Sequence, residues 1–132
     1  MTAYVAGCWR RRAGQARQIL EDYTQDRQRL LVPDLFWPEV GNILWKAVRQ
    51  GRMSRVSSDD AVRALEESGI PTAPCLPLLK DAMAIAAAFD RTVYDALYVA
   101  LAVMTDGLLI TADERLANAL AARFPIRWLG ML

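Results

Sequence analysis

Three acidic residues occupy positions at which carboxylates are not expected. Asp95 is the only charged residue in the apolar run Val93–Met104, and Glu39 falls on the apolar stripe of a predicted helix. Asp113 follows the apolar segment Leu108–Thr111, which predicts a buried strand. A carboxylate in apolar surroundings is costly unless it is paired, hydrogen-bonded or bound to a metal. The three acids together therefore predict a site for a hard cation.

The absence of histidine narrows the chemistry that such a site can perform. The chain contains 0 His, which removes every triad with a histidine base, most zinc sites and the commonest general base. Carboxylates without histidine favour Mg²⁺ or Mn²⁺. Cys8 and Cys75 lie far apart without metal-ligand spacing, which indicates reduced structural cysteines.

Composition predicts one soluble domain that spans residues 1–132. The hydrophobic share of 54% argues against disorder, and the net charge of +1 provides no global field that would attract nucleic acid. No run reaches the roughly 18 apolar residues that a membrane span requires. The basic residues 10–12 follow the N-terminal apolar residues instead of preceding them, unlike a signal peptide. We therefore expect a cytoplasmic protein without a membrane segment.

The apolar patterns predict strands that alternate with helices. Such alternation indicates a parallel sheet with helices on both faces, a three-layer α/β/α domain. Ligands bind to such sheets at the carboxyl ends of the strands, where Asp113 follows one strand and Glu39 begins the helix after another. We predict helices over 14–28, 35–51, 57–69, 77–89, 93–104 and 113–123, strands over 29–33, 108–111 and 124–129, and a weak edge strand over 70–75.

Each acid also has a structural interpretation. Thr92 and Asp95 match a capping box, and Asp113 suits the first turn of a helix, where the helix dipole stabilises negative charge. Glu39 has the weakest such interpretation because its neighbours on the helix face are apolar. Asp34 is expected to be a helix N-cap, and Tyr98 a core or interface residue. The residues alone leave capping and metal binding open for Asp95 and Asp113.

Three segments resemble a known family. The segments PEVGNILW at 38–45, RTVYDALYVALA at 91–102 and TADERL at 111–116 resemble, in this order, the later motifs of PIN-domain ribonucleases. The nearest branch is the VapC-like toxins of bacterial toxin–antitoxin systems. The resemblance implies an α/β fold and an endoribonuclease that hydrolyses RNA phosphodiesters with Mg²⁺ or Mn²⁺.

The same resemblance implies roles for individual residues and partners. Glu39, Asp95 and Asp113 would be the catalytic and metal-binding acids, with Asn42 and Thr111 as polar supports. The substrate would be RNA, and a small antitoxin protein would cover the acidic groove. The high apolar share and the many Trp, Tyr and Met residues favour a homodimer.

The N-terminus departs from the family's pattern, which opens with a strand that ends in Asp. Aligning residues 2–9 with that opening places Thr2 at the Asp position, so we expect a first strand that is short or missing, and one acid fewer. Two functions follow: a toxin ribonuclease, or a degenerate PIN-domain module that binds antitoxin or RNA without cleaving. A receiver-type regulator is a weaker alternative because no acid precedes Glu21 and Lys80 follows no predicted strand.

Overall fold

The structure is a computed structural model that describes residues 4–6 and 13–131, with side chains from residue 18 onward. In this part of the chain the strands form one parallel sheet with the order β3-β2-β1-β4-β5. The strands are β1 Tyr4–Ala6, β2 Leu30–Pro33, β3 Thr72–Ala73, β4 Leu108–Thr111 and β5 Ile126–Trp128. The parallel sheet that the sequence predicts is therefore confirmed.

Helices connect the successive strands. They are α1 Ala13–Thr24, α2 Phe36–Arg49, α3 Arg55–Glu67, α4 Leu79–Phe89, α5 Val93–Met104 and α6 Glu114–Leu120, with short 3₁₀ helices at Leu76–Leu78 and Leu129–Met131. Within the described ranges, every helix falls short of the length and apolar character that a bilayer span requires.

Apolar side chains cover both faces of the sheet. Leu109 of β4 packs in a cluster with α4, α5 and α6, whereas the next residue, Ile110, packs with Ile19 of α1 and Leu30 of β2. Successive side chains of a strand point to opposite faces, so these two neighbours belong to two separate cores. The α5 residues 96–102 are all buried, which explains why this helix is apolar on every side. The three-layer arrangement is confirmed.

The first strand is present, and it lies at the centre of the sheet. Tyr4 is in register with Leu30 of β2 on one side, and Val5 with Leu109 of β4 on the other. The expectation that this strand is missing is wrong, whereas its shortness, at 3 residues, is confirmed. Thr2 lies outside the described residues. Since Thr2 precedes β1 in the sequence, the alignment that placed it at the end of the first strand is also wrong.

Several helix starts differ from the prediction. Asp34 does not cap α2: the N-cap is Leu35, which makes no side-chain capping bond. The next helix, α3, begins at Arg55, two residues earlier than predicted, because the Ser54 hydroxyl accepts a hydrogen bond from the backbone N–H of Ser57 at 3.0 Å. The bounds predicted for α5 and β4 are confirmed.

Several helix ends differ as well: α1 ends at Thr24, four residues before the predicted end at residue 28. The region 77–89 is divided between a 3₁₀ helix and α4, and α6 ends at Leu120 instead of extending to residue 123. The N–H groups of Arg123 and Phe124 both donate to the carbonyl of Leu120 at 3.0 Å, which turns the chain toward β5. Cys75 is a free thiol, as predicted, and Cys8 lies outside the described residues.

Candidate active site

The predicted acids line one small cavity of about 90 Å³ beside the carboxyl end of β4. Its walls combine three acids with two hydroxyl groups and two leucines. The lining residues are Glu39, Asp95, Tyr98, Leu109, Thr111, Asp113 and Leu116. The fold thus brings together acids that are 56 and 18 residues apart along the chain (39 to 95 and 95 to 113).

A larger cavity lies elsewhere in the fold. It measures about 410 Å³ and is lined by the first residues of β2, Leu30 and Leu31, together with Tyr23 and Asp26. Among the described residues that line it, Asp26 is the only acid. A hard divalent cation favours carboxylate ligands, so the smaller cavity is the better candidate for a metal site.

The start of α5 holds Asp95 at the cavity. Thr92 is the N-cap, and its hydroxyl accepts a hydrogen bond from the backbone N–H of Asp95 at 3.0 Å. The capping prediction is therefore confirmed for Thr92. This bond uses the main chain of Asp95, and the carboxylate is half-buried and lines the cavity.

The surroundings of Asp95 disfavour its negative charge. Burial raises the pKa of its carboxyl above the ordinary value, and the negative charge of Asp113 raises this pKa further. A hydrogen bond with Thr92 and the positive charge of Arg91 lower the pKa without cancelling the rise. An acid in a cleft whose pKa is shifted by burial and by a second acid is characteristic of functional sites. A bound cation would relieve the repulsion between these two carboxylates.

Asp113 has both a structural position and a place in the cavity. It is the N-cap of α6, where its Oδ1 accepts a hydrogen bond from the N–H of Leu116 at 3.1 Å. Its own N–H donates to the hydroxyl of the buried Thr111 at 3.1 Å, which joins the acid to the end of β4. An ionised carboxylate has about four acceptor positions, so one capping bond leaves capacity for a further ligand.

Glu39 lies on α2 and is held in place by a hydrogen bond from α5. It lies in the first turn of α2, and its Oε1 accepts a hydrogen bond from the hydroxyl of Tyr98 in α5. Tyr98 is only 6% exposed and lines the cavity itself. The prediction placed this tyrosine in the core or an interface and did not identify its contact with Glu39. Its position in the sequence could have indicated a place at the site, because Tyr98 follows Asp95 by one helical turn and therefore lies on the same face of the helix.

Two other polar residues lie near the acids. Asn42 is exposed one turn beyond Glu39 and is not among the residues that line the cavity. Arg91 precedes the Thr92 cap, and its Nε donates to the carbonyl of Phe89 at 3.3 Å. The sequence analysis did not assign a role to Arg91, although its charge acts on Asp95.

The donor set fits a hard divalent cation. Across residues whose side chains are described, no group of three or more Asp, Glu, His or Cys is close enough to hold one ion together. Mg²⁺ is usually held by one or two carboxylates and retains several water ligands. The pair Asp95 and Asp113 meets that requirement, because the two charges interact, and Glu39 lines the same cavity.

Comparison with known proteins gives consistent results. Residues 3–120 match the PIN domain family. Ribonuclease VapC3 of Pyrobaculum aerophilum is 40% identical over 100 residues, which cover 72% of this chain and 74% of that protein. Ribonuclease VapC9 of Mycobacterium tuberculosis is 31% identical over 113 residues, which cover 86% of this chain and 84% of that protein.

A solved structure has the same fold. The crystal structure of PAE2754 from Pyrobaculum aerophilum is similar with a TM-score of 0.76 at 23% identity, and the match covers 98% of this chain and 85% of that one. This likeness supports the fold, and the family match and the identities to the VapC proteins support the assignment. The chain belongs to the PIN domain family and, within it, to the VapC-like branch.

Proposed function

We propose that this protein is a divalent-metal-dependent endoribonuclease and the toxin of a toxin–antitoxin pair. The observation that carries the proposal is the half-buried carboxylate of Asp95 beside that of Asp113, in a cavity that Glu39 also lines. The ribonuclease names of the VapC relatives support the choice of RNA as the substrate.

The residues of the site have different roles in this proposal. Asp95 and Asp113 would hold a Mg²⁺ or Mn²⁺ ion, and Glu39, which lines the same cavity, would accept a hydrogen bond from a water ligand of that ion. The ion, when bound, activates water and neutralises charge on the RNA phosphate. Thr111 fixes the main chain of Asp113, and the Thr92 cap fixes the first turn of α5. Because the acids are attached to three different elements, packing of the whole fold sets the site geometry.

An RNA cleavage assay with Mn²⁺ tests this function. We expect cleavage that EDTA abolishes and that Asp95→Asn abolishes. The matched control is Asp81→Asn, since Asp81 is also in the first turn of a helix but is exposed on α4. Cleavage that survives EDTA or Asp95→Asn would contradict the proposal.

A second candidate function is binding without cleavage. The strand β1 consists of Tyr4, Val5 and Ala6, and Gly7 follows it in the sequence, so this strand supplies no acid near its carboxyl end. Fewer ligand charges weaken the hold on a cation. This candidate predicts that the chain binds RNA or an antitoxin at millimolar Mn²⁺ while the RNA stays intact.

We also propose a protein partner, either a second copy in a homodimer or a small antitoxin. Leu76, Leu79 and Met83 are exposed at 79%, 38% and 56%, and their spacing places them on one side of the α4 region. Exposed apolar clusters favour association with another protein. Light scattering tests the homodimer: we expect a dimer at micromolar concentration, and a monomer would contradict that assignment.

A further inference from the structure

The hydrogen bond between Tyr98 and Glu39 joins two helices at the proposed metal site. Tyr98 lies on α5 and donates its hydroxyl to Oε1 of Glu39 on α2, a residue 59 positions away in the sequence. Both residues line the acid cavity, and Tyr98 is 6% exposed. The contact thus fixes a carboxylate at the cavity wall.

A buried tyrosine needs a hydrogen-bond partner for structural reasons alone. Tyr23, which is half-buried, has a hydrogen bond of this purely structural kind: its hydroxyl donates to the backbone carbonyl of Ser68 at 3.2 Å, and Tyr23 does not line the acid cavity. Tyr98 instead donates to an ionisable side chain in the cavity. Tyr23 therefore serves as the control: replacing either tyrosine with phenylalanine removes a hydroxyl hydrogen bond, but the bond of Tyr23 goes to a backbone carbonyl and that of Tyr98 to an acid of the proposed metal site.

Fixing a glutamate has a direct consequence for cation binding. A glutamate side chain loses rotamer freedom when it is ordered, and this loss opposes binding. A side chain that is ordered before the cation arrives does not lose that freedom again on binding, which favours affinity. The Tyr98 hydroxyl donates to Oε1 of Glu39 and leaves Oε2 to accept a hydrogen bond from a water ligand of the cation. Removing a hydrogen-bond partner of a residue at a metal site typically lowers metal affinity or activity by about 10–100-fold.

We propose that Tyr98 is a positioning residue that orients Glu39 toward a bound divalent cation. This role rests on the proposed metal-dependent function. It extends the site from the three acids to a hydroxyl that the sequence analysis assigned to the core or an interface. Tyr98 acts through Glu39, and the same helix delivers Asp95 one turn earlier.

Calorimetric Mn²⁺ titration of the wild type, Tyr98→Phe and Tyr23→Phe tests the proposal. We expect the Kd for Mn²⁺ to rise about 10–100-fold in Tyr98→Phe and to stay unchanged in Tyr23→Phe. Both variants should unfold at a lower urea concentration, since each loses a hydrogen bond. In RNA cleavage, kcat should fall in Tyr98→Phe while KM for RNA stays constant.

A double-mutant cycle adds a second measurement. In a Glu39→Gln background, Tyr98→Phe should cause no further loss of Mn²⁺ affinity, because the residue acts through Glu39. Fully additive losses would overturn the proposal, as would wild-type affinity in Tyr98→Phe or an equal loss in Tyr23→Phe. A wild-type chain that binds no Mn²⁺ overturns the metal-dependent function itself and this role with it. The wild-type titration alone therefore separates that failure from the failure of the Tyr98 role.

Discussion

Replacing Asp95 with asparagine should stabilise the metal-free protein, although it removes a proposed catalytic residue. Burial and the charge of Asp113 raise the pKa of Asp95, so the fold disfavours the carboxylate relative to the unfolded chain. Asparagine has nearly the same shape and carries no charge. The hydrogen bond from the backbone N–H of residue 95 to Thr92 is retained in the variant.

Two opposing terms set the size of the effect. Losing the charge relieves desolvation and repulsion, but it also removes an acid from the first turn of α5, which is worth about 0.3–1 kcal/mol. We expect a net gain of about 1 kcal/mol, within the range of roughly 0.5–2 kcal/mol for single stabilising substitutions. For a domain of this size the gain corresponds to roughly 3–6 °C in Tm.

The advantage of the variant should depend on pH. The folded-state pKa of Asp95 is raised, so protonation stabilises the wild type fully below the unfolded pKa, near 3.8. That stabilisation is lost as the pH rises through the higher, folded-state pKa. Asp95→Asn should therefore exceed the wild type in stability at about pH 7, and the difference should vanish below about pH 3.

Mn²⁺ should reverse the order of stability. A ligand that binds only the folded state stabilises it by about 2.7 kcal/mol at 100 times its Kd, and Asp95→Asn would lose this gain. Urea unfolding in EDTA and in Mn²⁺ measures both effects. The control Asp81→Asn removes an exposed acid from the first turn of α4, so it should be neutral or slightly destabilising, with wild-type Mn²⁺ dependence.

Two results would contradict this role of Asp95. If Asp95→Asn is no more stable than the wild type in EDTA, Asp95 serves only as an acid at a helix start. If Mn²⁺ stabilises the wild type and Asp95→Asn equally, Asp95 is not a ligand.

Three further substitutions test the positions around the site. Asp113→Ala should lower the free energy of unfolding by about 1 kcal/mol through loss of the α6 cap, whereas Asp113→Asn should keep the cap, and both should abolish RNA cleavage. Thr111→Val removes the acceptor for the N–H of Asp113, so we expect a loss of about 1–3 kcal/mol in urea unfolding and weaker Mn²⁺ binding by calorimetry. Leu101→Ala should cost about 2–5 kcal/mol because Leu101 is 1% exposed, with unchanged Mn²⁺ affinity at a temperature where the variant is folded. Wild-type cleavage by Asp113→Asn, or wild-type stability of Thr111→Val or Leu101→Ala, would contradict the respective prediction.

Local patterns were sufficient to predict the elements that deliver the acids. The lengths and ends of α5 and β4 could be predicted directly, because each element coincides with an apolar segment of the sequence. Because ligands bind at the carboxyl ends of parallel strands, the position of Asp113 after β4 predicted its place at the cavity. The alternation of strands and helices then predicted the layers of the fold.

Other features depend on contacts that no local pattern contains. β1 has only 3 residues, too few for a periodic signal, and it is defined by pairing with β2 and β4, which are distant in sequence. The bond from Tyr98 to Glu39 depends on how α5 packs beside α2. Asp34 is a favourable capping residue in isolation, yet the N-cap of α2 is the next residue, Leu35, which makes no side-chain capping bond.

The most direct test of the account is a calorimetric titration of Mn²⁺ into the wild type, Asp95→Asn and Asp81→Asn. We predict a single site in the wild type with a micromolar to low-millimolar Kd for Mn²⁺, the same site in Asp81→Asn, and none in Asp95→Asn. Equal heats for the wild type and Asp95→Asn, or no binding by the wild type, would contradict the claim that these acids form a metal site.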